Sequence, residues 1–404
     1  MVPHADAPSR LLEPLPYHRD VVSYLKTHEP ALWKWYSSAG SREKYADAIR
    51  LDLLKSTYRL DRASHEELYA AADAVCRTLE LDVNTTLYQA QTGPAGHNAG
   101  ICCLSGEAHI ILHGDLKTVL SPLEMQALLG HELAHYRLLT IEDGAYSTAG
   151  RILDAVEDHA ACPESYAVTA HRYRRYTEIY ADRGALLACK DLNAVVGCLV
   201  KVSTGITDVN AESYLAQADE IFGKSVVTDQ GLTHPQSFVR ARAARLWSHG
   251  ERDCDNAVRN MIDGPLAMNA LDLLNQHALL SLTRRFIAEI IQPAWFRTDP
   301  VLAHARLFFP DFSPDRIDRK TPLELHSFDP SVRDYFCYIL LDFVSADPSL
   351  DEIPLARALE LSDTFGARER FEELANKELR ITKKTLSRLR KEGAELLAKA
   401  NGAA

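Results

Sequence analysis

The chain has 404 residues, 46% hydrophobic and 25% charged, values of a globular protein with two or three domains that exclude a disordered or low-complexity chain. Its formal net charge of -11 at pH 7 argues against nucleic acid as the main partner. No run approaches the ~20 apolar residues of a spanning helix, Met1 to Arg10 lacks an apolar signal segment, and eight scattered cysteines without a CxxC pair read as reduced thiols of a cytoplasmic protein.

In chain order, residues 1–60 read as an irregular lead followed by helices, with Trp33, Trp35 and Tyr36 as core contacts. A helix is expected over 64–79, with Ser64 as its cap and Glu67 three residues later. Thr86-Leu87-Tyr88 and Ala108-His109-Ile110-Ile111-Leu112 are rich in β formers and separated by glycines, so both predict strands, with His109 and His113 on the strand surface. Ser121-Pro122-Leu123-Glu124 then opens a helix: Ser121 caps it, Pro122 takes the first helical position and Glu124 completes a capping box. Leu128, Leu129, Leu133, Leu138 and Leu139 carry its apolar face onward. Further helices are expected over 165–190 and from near Thr233 through Arg245. The apolar run Ala194 to Val202 is too short to span a membrane and is interrupted by Lys201. Beyond 251 the pattern is helical, with loops marked by Pro293, Pro300, Pro310 and Pro314. These elements predict an α+β, predominantly helical fold: an N-terminal helical segment over 1–60, a central domain over 61–250 and an all-helical domain over 251–404. Residues 376–404 hold eight Lys or Arg against three Glu, which reads as a solvated terminal helix docked on the acidic body.

The chemistry concentrates in His131-Glu132-Leu133-Ala134-His135. Residues four apart share a helix face, so both imidazoles can meet one tetrahedral zinc ion while Glu132 reaches its water as a general base. Zinc lowers the pKa of that water towards ~7. The extended pattern with Gly at 138 and His at 141 is missing, since those positions hold Leu138 and Ile141; this excludes the metzincin arrangement. A third ligand is required. Glu178, on the predicted helix carrying Glu178-Ile179-Tyr180-Ala181-Asp182, is favoured. Asp182, one turn on, can accept the free N–H of a zinc-bound histidine. Glu157, Asp158 and His159 form the competing cluster.

This order of motifs, followed by Thr233-His234-Pro235, resembles the HtpX and CAAX-prenyl-protease type of zinc metallopeptidase over about residues 65–245. His97-Asn98-Ala99-Gly100 looks like that family's Asn-Ala segment. The resemblance implies a gluzincin core with a small sheet, holding one zinc per chain through His131, His135 and Glu178. Glu132 would be base and proton shuttle, Asp182 the carboxylate behind a ligand, His234 an oxyanion partner, and Arg240 a residue that fixes local structure. The strand carrying His109, Ile110 and Ile111 would be the edge against which a peptide or protein substrate lies extended. The best-known members are membrane-embedded, and this chain shows no spanning helices; a soluble endopeptidase core with a helical appendage describes it better. Residues 340–374 weakly resemble the helical TerB-like domains.

A non-catalytic peptide-binding or regulatory adaptor that retains the metallopeptidase fold is the alternative, motivated by the large appendage without recognised chemistry. Zinc-dependent hydrolysis of a non-peptide bond is a third, disfavoured by the expected edge strand. The residues set no oligomeric state, cleavage preference or natural substrate.

Overall fold

The computed structural model describes residues 12–38, 46–91, 96–224, 234–314 and 329–403. The chain divides into two compact units, Met1–Gly264 and Pro265–Ala404. The fold class is α+β and predominantly helical, with one small mixed sheet among the described residues.

The first unit opens with α1 (Pro16–His28), α2 (Pro30–Ser37), α3 (Ala46–Ser56), β1 (Thr57–Arg59) and α4 (Glu66–Thr78). This N-terminal stretch is built into the unit. Tyr17 stacks on Tyr176, with ring centroids 4.4 Å apart, and His18 is fully buried with its ring edge-on to Tyr173. Trp33, Trp35 and Tyr36 are not core residues: α2 buries none of its side chains, and Trp35 is 68% exposed. Lys26 sits over the Trp33 ring and Arg151 over that of Tyr36, cation–π contacts that suit half-exposed rings. Ser64 does not cap α4. Its N–H donates to Asp61 Oδ2 at 2.9 Å within a turn, and the helix begins at Glu66.

The sheet follows, with β2 (Asn84–Ala90), β3 (Asn98–Leu104) and β4 (Glu107–His113) in the order β1-β2-β4-β3. β4 pairs parallel with β2 and antiparallel with β3. It is therefore an interior strand with both rows of backbone groups hydrogen-bonded, which corrects the expectation that His109, Ile110 and Ile111 form the edge. Ala108, Ile110 and Leu112 are fully buried, as a strand covered by neighbours requires. His109 is buried as well, between Tyr88 Oη (3.2 Å from Nδ1) and Glu107 Oε2 (2.9 Å from Nε2). β3, half-exposed along its length, is the open edge.

After the short α5 (Leu116–Val119) come α6 (Pro122–Glu157), α7 (Glu164–Cys189), α8 (Leu192–Thr204), α9 (Ala211–Lys224), α10 (Ser237–Ser248) and α11 (Cys254–Asp263). The capping box of α6 forms as the sequence predicts: Glu124 N–H donates to Ser121 Oγ and Ser121 N–H to Glu124 Oε2. Lys201 of α8 adds an ion pair to the same carboxylate at 2.9 Å. α6 is broken at Ile141–Gly144, where Glu142, Asp143 and Gly144 take left-handed φ of 50°, 56° and 74°. α10 starts at Ser237, later than expected, and Thr233 lies outside the described residues. α11 belongs to this unit through the Arg183–Asp255 ion pair at 2.6 Å, so the division falls at 264 and not near 250.

The most extensive packing is between α6 and α7. A Cβ at Gly184 would lie 2.3 Å from Ala134 Cβ and 3.0 Å from Gly130 O; one at Gly130 would lie 2.5 Å from Ala188 Cβ. Only glycine permits that approach.

Among its described residues the second unit is all-helical: α12 (Leu273–Ile290), α13 (Asp299–Phe308), α14 (Pro330–Val344), α15 (Ile353–Thr364), α16 (Arg368–Glu378) and α17 (Lys383–Ala403). Its core includes Phe286, Phe336, Phe365 and Phe371. The basic terminal helix, α17, inserts Leu386, Leu389 and Leu397 into this core, while Arg388 pairs with Glu352 and Arg390 with Glu372.

The glycine crossing gives a direct test. Gly184→Ala places a methyl inside contact distance of backbone and should cost about 1–3 kcal/mol of stability, as overpacking does. Urea unfolding measures it, and an unchanged midpoint would contradict the crossing geometry.

Candidate metal centre

The crossing sets the register of the site. On α6, His131 and His135 are one turn apart and present their rings to α7, where Glu178 and Asp182 are one turn apart in return. A donor atom from each of His131, His135 and Glu178 lies within 4.8 Å of the other two. His131 Nε2 is 3.5 Å from Glu178 Oε2, His135 Nε2 is 3.6 Å from Glu178 Oε1, and the two Nε2 atoms are 3.2 Å apart. Glu132, on the same helix, is 5% exposed and lines the same cleft.

Behind this triad, Asp182 Oδ1 accepts from His131 Nδ1 at 3.1 Å. Arg240 of α10 donates to both carboxylate oxygens of Asp182, at 2.6 and 2.8 Å, and to Glu178 Oε2 at 3.2 Å. With its proton on Nδ1, His131 turns the Nε2 lone pair toward His135 and Glu178, the orientation a metal ligand needs. His234, three residues before α10, has Nδ1 at 3.2 Å from Glu178 Oε2 and is largely exposed at the cleft mouth.

The electrostatics favour a cation. Burial works against the imidazolium of His131, but the carboxylates of Asp182 and Glu178 outweigh it and hold its pKa at about 10. Burial, then the charge on His131, lowers His135 to about 4, which keeps a lone pair available. Burial pushes Glu132 up to about 7, the range of a working acid–base group. Glu178 loses solvation on burial, yet Arg240 and the two neighbouring histidines hold it well below the ordinary carboxylate range. Two imidazole nitrogens converging with a buried carboxylate make a donor set that fits zinc.

The competing third-ligand cluster is engaged elsewhere. Glu157 pairs with Arg174 and, at 2.7 Å, with His171, while His159 Nδ1 accepts from the Ala161 N–H. His109, Ile110 and Ile111 stand in the sheet interior, and the cleft is lined instead by Asn98, Ala99, Gly100 and Ile101 of β3. The cleft measures ≈ 570 Å³. Its opposite wall comes from α8 through Val195, Cys198, Leu199 and Val202, residues that sequence reasoning registered only as an apolar run. His97 also lines it. It opens the His97-Asn98-Ala99-Gly100 segment already singled out in the sequence, but that this segment leads into the last strand of the sheet was not legible.

Comparison with known proteins agrees with this geometry. Residues 63–248 match Peptidase family M48. A relative, the chloroplastic plastoglobule-localized metallopeptidase 48 of Arabidopsis thaliana, is 30% identical over 171 residues, which are 37% of this chain and 48% of that protein. The chain thus spans about half the length of the curated relative it matches. No solved structure matches. The matched region holds His131, Glu132, His135, Glu178, Asp182, His234 and Arg240 and ends before the second helical unit. The family match and the site geometry thus fall on the same stretch, residues 63–248, which is similar to Peptidase family M48.

Proposed function

We propose that the chain is a zinc-dependent endopeptidase in which His131, His135 and Glu178 hold the metal. One observation carries this reading: three donor atoms of the right chemistry converge beside an open strand edge. Zinc, when bound, supplies Lewis acidity and lowers the pKa of water towards ~7. Glu132 then takes the proton from the attacking water and passes it to the departing amine; its raised pKa of about 7 suits both directions. His234 engages Glu178 through Nδ1, which leaves its other ring nitrogen to donate to the oxyanion. Asp182 and Arg240 position His131 and Glu178 and do not touch substrate.

The substrate is a peptide or unfolded protein segment in extended form. β3 is the last strand of the described sheet and lines the cleft, and β-addition there would carry the scissile carbonyl along the cleft past the triad. No helix among the described residues is long and apolar enough to cross a membrane.

Two substitutions test the assignment. Glu132→Gln should retain about one zinc per chain and lose cleavage of a broad peptide library by at least about 100-fold, the scale of a general base. Zinc-replete wild-type protein without turnover on that library would contradict the peptidase reading and favour the adaptor. Asp182→Asn should weaken zinc binding by about 10- to 100-fold, measured by competition with a chelating dye. Unchanged affinity would remove Asp182 from the support of His131.

A further inference from the structure

A second recess adjoins the metal centre on its other side. It lies between the part of α6 beyond the break and the first half of α7, and has a volume of ≈ 220 Å³. Leu153, Ala170 and Tyr173, all buried, form its floor, and Glu178 and His234 line both it and the larger cleft. The two spaces therefore meet at a donor of the triad and at the histidine beside it.

Gly150 lines the recess. Gly130 and Gly184 are crowded, whereas a Cβ at Gly150 would meet only Tyr173 Cε1 at 3.7 Å, an ordinary contact. Alanine would fit there and would favour the helix by roughly 0.5–1 kcal/mol. Close packing thus gives no reason for this glycine, and a side chain longer than alanine there would enter the volume facing α7.

The charges at the rim are already matched. Arg174 donates to Asp154 at 2.7 Å and to Glu157, and Glu157 also meets His171 at 2.7 Å. Thr177 turns its hydroxyl to Tyr173 O, and the Tyr173 hydroxyl donates to Tyr146 O. A charged side chain entering the recess would lose solvation without an unpaired partner, whereas an apolar one would gain by burial.

We propose that this recess is the specificity pocket for a substrate residue flanking the scissile bond, and that it takes an uncharged apolar side chain of the size of leucine, methionine or phenylalanine. This rests on the peptidase reading above. Gly150 is its gatekeeper, and the pocket's preference acts beside Glu178, close to the reacting carbonyl.

The test uses the zinc-loaded full chain and its Gly150→Ala and Gly150→Leu variants on a peptide library with cleavage sites mapped. The wild type should prefer apolar residues over glycine or charged residues by about tenfold or more at one position flanking the cut, the scale a hydrophobic pocket supports. Gly150→Ala should keep that preference and Gly150→Leu should lose it, while zinc content and the preferences at other positions stay as in the wild type. An unchanged profile in Gly150→Leu, or a charged preference on both sides of the cut, would overturn the pocket. A second measurement separates the pocket from the peptidase reading. Glu132→Gln protein, with and without Gly150→Leu, is titrated with labelled glycine–serine peptides carrying a single leucine at successive positions. Tighter binding at one leucine position, abolished by Gly150→Leu, supports the pocket even if wild-type protein cleaves nothing, a result that would sink the peptidase reading alone. Equal binding at every position overturns the pocket.

Discussion

At Gly130 and Gly184, α6 and α7 come to backbone contact, and the site depends on that distance. His131 and His135 are one turn apart on α6, as Glu178 and Asp182 are on α7, so an offset between the helices moves all four together. A side chain at either glycine would separate His131 and His135 from Glu178 before any ligand was altered. The capping box at Ser121 and the Lys201–Glu124 ion pair fix where α6 begins and tie α8 to it, which sets the wall of the cleft. The protein thus builds its site on the mutual placement of helices, the rigid elements best able to hold a constellation within a fraction of an ångström.

Charge balance explains the remaining architecture. Glu132, Glu178 and Asp182 are buried within one small region, and Arg240 is the guanidinium that faces two of them. Buried carboxylates demand compensation, since each uncompensated charge costs several kcal/mol of solvation. With Asp182 satisfied by Arg240 and His131, what is left is a pair of imidazole nitrogens and a carboxylate turned inward on one another. Asp182 and Glu178 raise the pKa of His131 to about 10 against the effect of burial, so the position favours a positive charge. A divalent cation fits the same position with neutral imidazoles. Asp182 and Arg240 contribute by holding Glu178 ionised and His131 in one tautomer, which is positioning and not chemistry.

How much of this was legible in the sequence follows from the range of each interaction. The capping box, the helices over α6 and α7 and the pairing of His131 with His135 are local, and the period of the chain encodes them. Glu178 and Asp182 were reachable because they share a helix face four residues apart, and the sequence already favoured Glu178 over the 157–159 cluster; that Arg174 and His171 engage Glu157 was visible only in the fold. Strand order was not legible. The parallel pairing of β2 with β4 joins segments separated by β3, and nothing local says that the most apolar strand lies inside the sheet; in retrospect, burial of both its faces is why Ala108 to Leu112 is so apolar. Trp33, Trp35 and Tyr36 misled for the opposite reason, since aromatic content suggested a core where lysine and arginine stack on exposed rings. Gly130, Gly150 and Gly184 were silent in the sequence, because a helical glycine shows its purpose only through what stands opposite.

The central claim is that His131, His135 and Glu178 form one metal centre. Zinc K-edge absorption spectroscopy of the zinc-loaded protein, compared with Glu178→Ala, tests it most directly. The account predicts two imidazole nitrogens and a carboxylate oxygen at about 2.0–2.2 Å in the wild type, with the imidazole signal kept and the carboxylate contribution lost in the variant. An identical spectrum and zinc content in Glu178→Ala would place the third ligand elsewhere and contradict the account.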